Sequence, residues 1–479
     1  MADIPSELAP IRTLKVTTTP KRVVVVGAGL AGLVAASELT RIGHHVEILE
    51  ASKRVGGRAF TLRHRDGRYV DLGAMRIPKA HHVTRFYCEE LGLALRPFGG
   101  DEARTLIAAR GLRVTEAESE SVLDTFELTP SERALGLVGL WEKTVYQLYT
   151  GLTADEKEDL FRDTPETDRV KALDQYSLRS FLKSCGVSDG ALAAFGTLWE
   201  METSLHFALL ETLRDQHQEI WTSSFSEIVG GTDRLPHALA ETVTDCIRLG
   251  SRVTSVRHQE GELVIRFVNS TTEDEVTADW LIVAVPLGPL QRIDFGDLLP
   301  VDKADSIRRL HYDAATKVAA FTASRFWETT DGIFGGGSTS DSGIGGTWYP
   351  SDNHKQDPLV SEAPGAMLAS YTWGQQATRI VTDDPHAHTA EALASLHPEL
   401  RDQPQLLEKL VVWSWHDKPL SQGAYCFHLP GQFTELHHAL VRPEGRILFA
   451  GEHASLDHAW MQGALESGIR AATAVAGSE

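Results

Sequence analysis

Three glycines at positions 27, 29 and 32 follow directly on the run Arg22-Val-Val-Val-Val26 and lead into a segment of helical character at 33–42. A strand, a tight turn and a helix in that order hold backbone N–H groups and a helix N-terminus toward a bound phosphate. The spacing Gly27-x-Gly29-x-x-Gly32 therefore predicts a dinucleotide cradle. The glycines allow a tight turn, a close approach of the backbone to the pyrophosphate, and close packing of the helix. Glu50 ends the next strand-like run, 45–49, where a carboxylate can accept hydrogen bonds from ribose hydroxyls. Arg54-Val-Gly-Gly-Arg58 comes just after, and its glycines and guanidiniums suit a second contact with phosphates.

These residues need a scaffold. The β-branched run 22–26 predicts a strand buried on both faces of a parallel sheet, and 22–50 together make a β-α-β unit. The class is α/β, with a Rossmann-like domain and an α+β part. From 101 to 219 the pattern turns to amphipathic stretches rich in Glu, Leu and Ala, including 131–149 and 188–213, which predict the helices of an inserted domain. A hairpin is expected from 252–257 and 262–268, an apolar strand over 280–285, a strand at 446–450, a turn at 451–453 and a last helix over 460–476. The segment 332–347 is so rich in Gly, Ser and Thr that its composition predicts a flexible surface loop. No internal repeat is present.

With 479 residues, two or three domains are expected. Lys and Arg total 46 against 66 Asp and Glu, a net charge of −20, which disfavours nucleic acid and anionic membranes as partners. Cys88, Cys185, Cys246 and Cys426 show neither C-x-x-C spacing nor pairing with histidines, so no metal site or disulfide framework is expected, and a cytoplasmic location fits. No secretory signal and no membrane span is legible.

Four blocks in order carry a resemblance over 21–476: Gly27-Ala-Gly-Leu-Ala-Gly32 with Glu50, Arg54-Val-Gly-Gly-Arg58, Gly230-Gly-Thr-Asp-Arg-Leu-Pro236, and Phe449-Ala-Gly-Glu452 with its following helix. Together they resemble the flavin amine oxidase superfamily, whose extended FAD signature includes the glycine-arginine element that NAD enzymes usually lack. The resemblance implies non-covalent FAD in a domain built from 1–75, 228–290 and 440–479. It implies a mixed-sheet substrate domain from 76–100 and 291–439, and a helical domain over 101–227. Cofactor contacts are expected at Gly27, Gly29, Ala31, Gly32, Glu50, Ala51, Arg54, Gly57 and Arg58, then at Gly73, Ala74, Met75, Arg76, Val253, Glu452 and Met461. Lys317 matches the family lysine that holds a water near flavin N5.

Within the superfamily, Gly73-Ala-Met-Arg-Ile-Pro78 resembles the L-amino-acid oxidases, in which the arginine at this place grips the substrate α-carboxylate. A planar guanidinium holds a carboxylate through two parallel hydrogen bonds and so fixes the α-carbon. The resemblance makes Tyr349 a second carboxylate partner and Trp460, with Ala459, a wall of the amine site. Gly423 would let the flavin approach closely, and small Ala424 leaves room for an aromatic side chain, as in the bacterial tryptophan oxidases of indolocarbazole pathways. Cys426 is out of place for a covalent flavin link, and His217 is out of register for a functional histidine. The expected reaction is FAD-dependent oxidation of an L-amino acid to its imine and 2-oxo acid, with O2 reduced to H2O2, in a homodimer. Competing readings are an amino-acid 2-monooxygenase, an amine or polyamine oxidase, a polyene desaturase and an inert flavin-binding protein.

Overall fold

Arg22–Val26 is the central strand of a five-stranded parallel sheet, in a computed structural model that describes residues 4–269, 271–381 and 384–478. The strand order is Ile247–Leu249, His45–Glu50, Arg22–Val26, Trp280–Val283, Ile447–Phe449. All four pairings are parallel. Val23 and Val25 point into one apolar cluster and Val24 and Val26 into another, which is why the run carries no polar alternation. The helix Leu30–Arg41 and the last helix, Met461–Gly477, cover the first face.

The expected hairpin is present as Ser251–Gln259 paired with Glu262–Asn269, and a third strand, Thr272–Ala278, extends it. A second large sheet has seven strands in the order Leu407–Ser414, Ala315–Thr322, Gly365–Trp373, Gly345–Tyr349, Gly336–Ser340, Leu106–Ala109, Leu112–Thr115. One of its faces packs on the segment around Leu72 and Met75; the other is covered by the helix Pro385–Leu396.

Three expectations need correction. The segment 332–347 is not a surface loop: it supplies an antiparallel hairpin inside the seven-stranded sheet. Its small residues serve close packing, since a Cβ on Gly337 would meet the Trp348 indole at 3.1 Å and one on Gly346 would meet the Glu200 carboxylate at 2.7 Å. The stretch 131–149 is not one helix: Pro130–Trp141, started by a Thr129 and Glu132 capping box, is broken at Gly136, where φ is +63°. Nor is 188–213: Asp189–Leu198 stops, a stretch with Glu200 at φ +56° and a short 3-10 helix at Ser204–His206 intervenes, and α-helix resumes at Leu209–His217. Within 101–227, residues Leu106–Ala109 and Leu112–Thr115 pair into the large sheet before any long helix begins. Among the described residues, no helix is long and apolar enough to cross a membrane.

The helix Leu30–Arg41 and the last helix touch backbone to backbone, because a Cβ on Gly468 would land on the Ala31 carbonyl oxygen. Gly468→Ala should therefore separate the two helices and lower the thermal midpoint, in line with the roughly 1–3 kcal/mol that overpacking costs. A Cβ at Gly477, near the end of the same helix, meets nothing within 4 Å, so Gly477→Ala should leave the midpoint unchanged or raised. Thermal scans of both variants by circular dichroism check this.

Candidate active site

Arg76 is delivered by the short strand Ile77–Pro78, which pairs with Phe225–Ile228. That pairing sets the guanidinium among aromatic rings. Its carbon lies 4.9 Å from the Trp221 ring, 5.2 Å from Phe225 and 4.9 Å from Trp348. Among the described residues, Arg76 has no hydrogen bond or ion pair. Burial lowers its pKa from the ordinary arginine value, yet a guanidinium stays charged at any working pH. The site thus holds a half-buried cation whose polar edge has no anion among the described residues. Trp460 extends the aromatic wall: its ring centre lies 6.0 Å from that of Trp221 and 6.5 Å from that of Phe225, and meets His81 edge-on at 5.0 Å.

Lys317 stands in Ala315–Thr322, the second strand of the large sheet, between Leu407–Ser414 and Gly365–Trp373, and is buried. Its Nζ donates to the carbonyls of Asp71 (3.1 Å) and Gly73 (2.7 Å), approaches Met75 Sδ at 3.2 Å, and lies 4.3 Å from the Tyr371 ring centre. Burial pushes the ammonium down to about 7, against the pull of Asp71 and helped by the like charge of Arg76. The lysine pins the backbone that leads into Arg76.

Tyr349 does not join this group, which corrects the expected carboxylate contact. Successive side chains of a strand point to opposite faces, so when Trp348 faces Arg76, Tyr349 must face away. Its hydroxyl donates to Ser338 Oγ at 2.9 Å and lies 2.8 Å from His397 Nε2, within the other apolar cluster. The tyrosine on the site's face is Tyr371, in the neighbouring strand, which feels the charge of Arg76. Glu200 also points here from the break between two helices. It accepts a hydrogen bond from Thr339 Oγ1 at 3.0 Å, and burial pushes its carboxyl up to about 7 while Thr339 and Arg76 oppose that.

At the other end, Gly27 has φ +104°, and a Cβ on Gly32 would land on the Gly27 carbonyl oxygen. Gly29 caps the helix Leu30–Arg41, and a Cβ there would meet nothing within 4 Å; one on Gly57 would meet only Gly29 Cα, at 3.5 Å. Two glycines thus border open space at the N-terminus of a helix, which fits a pyrophosphate. Glu50 closes the turn, its two oxygens accepting from the N–H groups of Ala28 and Ser52 at 2.7 Å each, with Ala51 between. Ala31 is buried against the last helix, and Val253 is buried beside a register shift in its strand.

Arg54 and Arg58 are not both turned to the cradle. Arg54 stacks on Phe60 at 4.5 Å and donates to the Val55 and Gly57 carbonyls. Arg58 donates to Glu452 at 2.7 Å and to the Ala424 carbonyl at 2.8 Å. Glu452 is a hub: it also accepts from the Tyr312 hydroxyl and from the N–H groups of Cys426 and Ala459. Arg58 and these contacts hold its carboxylate below the usual range despite burial. A Cβ on Gly423 would collide with the Tyr312 ring. Ala459, held at φ +65°, and Trp460 lead into the last helix, where Met461 and its neighbours offer free N–H groups. Ala74 is partly buried and Met75 buried beside Lys317. His217 sits with Tyr149 and Phe161, away from Arg76.

The aromatic cage, Trp221, Phe225 and Trp348, with Tyr371 and Glu200, was not found in the sequence. These residues lie outside the motif blocks, and only long-range packing of strands, turns and a helix break brings them to Arg76.

The comparisons agree with this geometry. The model of the family described as flavin containing amine oxidoreductase matches residues 30–476. An L-amino-acid oxidase of Siganus canaliculatus is 34% identical over 468 residues, covering 95% of this chain and 85% of the relative. One from Pseudechis australis is 33% identical over 467 residues, with 96% and 87% covered. Among solved structures, putrescine oxidase bound to putrescine superposes with a TM-score of 0.76 at 19% identity, over 96% of this chain and all of that one, a likeness of fold. A glycine cradle, a buried lysine in the large sheet and a match across nearly the whole length have one explanation: the chain belongs to the flavin-containing amine oxidoreductases and uses FAD.

Proposed function

We propose that the protein is an L-amino-acid oxidase that prefers aromatic side chains and binds FAD without a covalent link. The observation that carries this reading is Arg76, a caged guanidinium with no anionic partner among the described residues. An amine without a carboxylate gives such a group nothing to bind. The α-carboxylate of an amino acid supplies two oxygens for a forked pair of hydrogen bonds, and the aromatic cage restrains the fork before substrate arrives, so orientation costs less.

FAD, when bound, would supply the two-electron chemistry: it would take the α-hydrogen with the electron pair of the Cα–H bond, while the lone pair of the deprotonated amine closes the C=N bond, and two electrons with two protons would turn O2 into H2O2. The chain's residues prepare that step. Arg76 anchors the carboxylate, with Tyr371 on the same face. Trp460, Trp221 and Phe225 exclude water and offer flat surfaces to an aromatic side chain. Lys317 Nζ, fixed by two carbonyls, can take up a proton through water once it is neutral. The imine that leaves hydrolyses to the 2-oxo acid and ammonium. Four free cysteines support work in a reducing interior, and the family resemblance supports a homodimer.

The direct test is anaerobic mixing of the purified protein with L- and D-amino acids and with simple amines while the flavin band is followed. Rapid bleaching by aromatic L-amino acids, with peroxide and 2-oxo acid formed in equal amounts once air is admitted, is expected. Bleaching by diamines alone would overturn the reading. Arg76→Ala should lower kcat/KM about a hundredfold or more, and Arg76→Lys nearly as much, because a lysine cannot form the fork.

Lys317 gives a pH signature. Its ammonium, pushed down to about 7, is protonated below that pH and neutral above it. kcat/KM should therefore rise through about pH 7, and Lys317→Met should lose that inflection together with most of the rate; steady-state rates from pH 5.5 to 9 check it. Denaturation in acid followed by filtration should release all the flavin; retention on the chain would disprove non-covalent binding.

A further inference from the structure

Behind Trp460, three histidines far apart in sequence meet in the interior. His428, His437 and His458 are buried, and each offers a ring nitrogen within 4.8 Å of the others. Their ring centres are 4.5 Å (428 to 458), 5.3 Å (428 to 437) and 6.2 Å (437 to 458) apart. Glu211 organises two of them: its Oε1 lies 2.7 Å from His428 Nδ1 and 3.2 Å from His458 Nδ1. The Glu211 carboxylate, which also accepts from Arg214 Nη1 at 3.2 Å, stands as the acceptor for both rings. Both Nδ1 atoms then carry the protons, and Nε2 of each ring presents a lone pair. Neither Nε2 has a protein partner among the described residues, and neither nitrogen of His437 is hydrogen-bonded, although its Nε2 stands 3.5 Å from Asp163. Burial pushes His437 down to about 4 and His428 well below its ordinary value, which keeps both imidazoles neutral.

Buried lone pairs without donors are costly. Neutral imidazoles whose other N–H is held by a carboxylate are the form in which histidine binds metal. We propose that His428, His437 and His458 form a binding site for a divalent transition-metal ion of the zinc class, with Glu211 orienting two of the ligands. All-nitrogen donors favour such an ion over magnesium or calcium, which take oxygen. Tetrahedral coordination at about 2.0–2.1 Å needs nitrogens roughly 3.3 Å apart, so the rings must close in slightly on loading. Glu211 and Asp163 offset the added charge. Arg214 shares the Glu211 carboxylate, its Nη1 donating to Oε1 at 3.2 Å, while its Nε donates to the Leu160 carbonyl at 2.7 Å and its guanidinium lies over Phe433 at 4.3 Å. The ion would join the helix Leu209–His217 to the segments carrying Cys426 and Ala459, both of which donate to Glu452. Its role is structural, and it is independent of the reaction proposed above.

The test uses the flavin-loaded protein, stripped with a chelator and then titrated with Zn2+. Uptake of about one ion per chain, a raised thermal midpoint and an X-ray absorption shell of nitrogen and oxygen with imidazole scattering are expected. His437→Ala and the double variant His428→Ala, His458→Ala should weaken uptake at least tenfold while keeping the flavin spectrum. No uptake by the unmutated protein at micromolar Zn2+, a shell containing sulfur, or uptake unchanged in the variants would overturn the proposal. If a variant loses its flavin, the absorption shell of the unmutated protein decides alone.

Discussion

A half-buried guanidinium without an anion among the described residues is the constraint around which the substrate end is arranged. Taking a charge out of water costs several kcal/mol unless something replaces the hydration. Around Arg76 the replacement is partial: three aromatic rings within about 5 Å attract the cation through their faces, but none can accept its N–H groups. The deficit is directional. It sits at the edge of the guanidinium, where a planar anion fits, so the resting structure already carries the demand that a carboxylate satisfies.

Holding that demand in place requires a rigid backbone, and Lys317 provides it. A lysine buried in the middle of a β-strand is uncommon; here its head binds two carbonyls within 71–73, a few residues before Arg76. The large sheet thereby fixes the start of the substrate segment, and the pairing of Ile77–Pro78 with Phe225–Ile228 fixes its end. Glu452 does the same for the opposite wall, gathering Arg58, Tyr312, Cys426 and Ala459 around one carboxylate. Two buried polar hubs, one on Lys317 and one on Glu452, thus fix the backbone on either side of the proposed site.

Much of the nucleotide half was legible in the sequence because it depends on local chemistry. Gly27, Gly29 and Gly32 are needed by a turn a few residues long, and the valine run announces a doubly buried strand. Arg76 was legible through its motif. The substrate half depends on long-range pairing, which periodicity cannot supply. Tyr349 came from the resemblance alone; with 332–347 read as a loop there is no strand alternation to say that Trp348 and Tyr349 face opposite ways. Glu200 lay inside what looked like one helix, and tertiary packing broke that helix to bring its carboxylate to the sheet. The three buried histidines are separated by 9 and 21 positions, spacings that mean nothing until the fold closes.

Burial, not surface charge, then decides what the site attracts. The chain carries a net charge of −20, yet that field is screened within about 10 Å in ordinary salt, while the charges that matter lie inside. Below about pH 7 the site holds Arg76 and Lys317 as cations and Glu200 as a neutral acid; above it Lys317 is neutral and Glu200 anionic. The local charge of these three groups therefore falls from +2 to 0 across neutrality, with Arg76 constant throughout. A carboxylate is drawn in on either side, but only on the alkaline side does the site also contain a base and an anion able to face an ammonium group. An acidic protein can in this way select a zwitterion by where it buries three side chains.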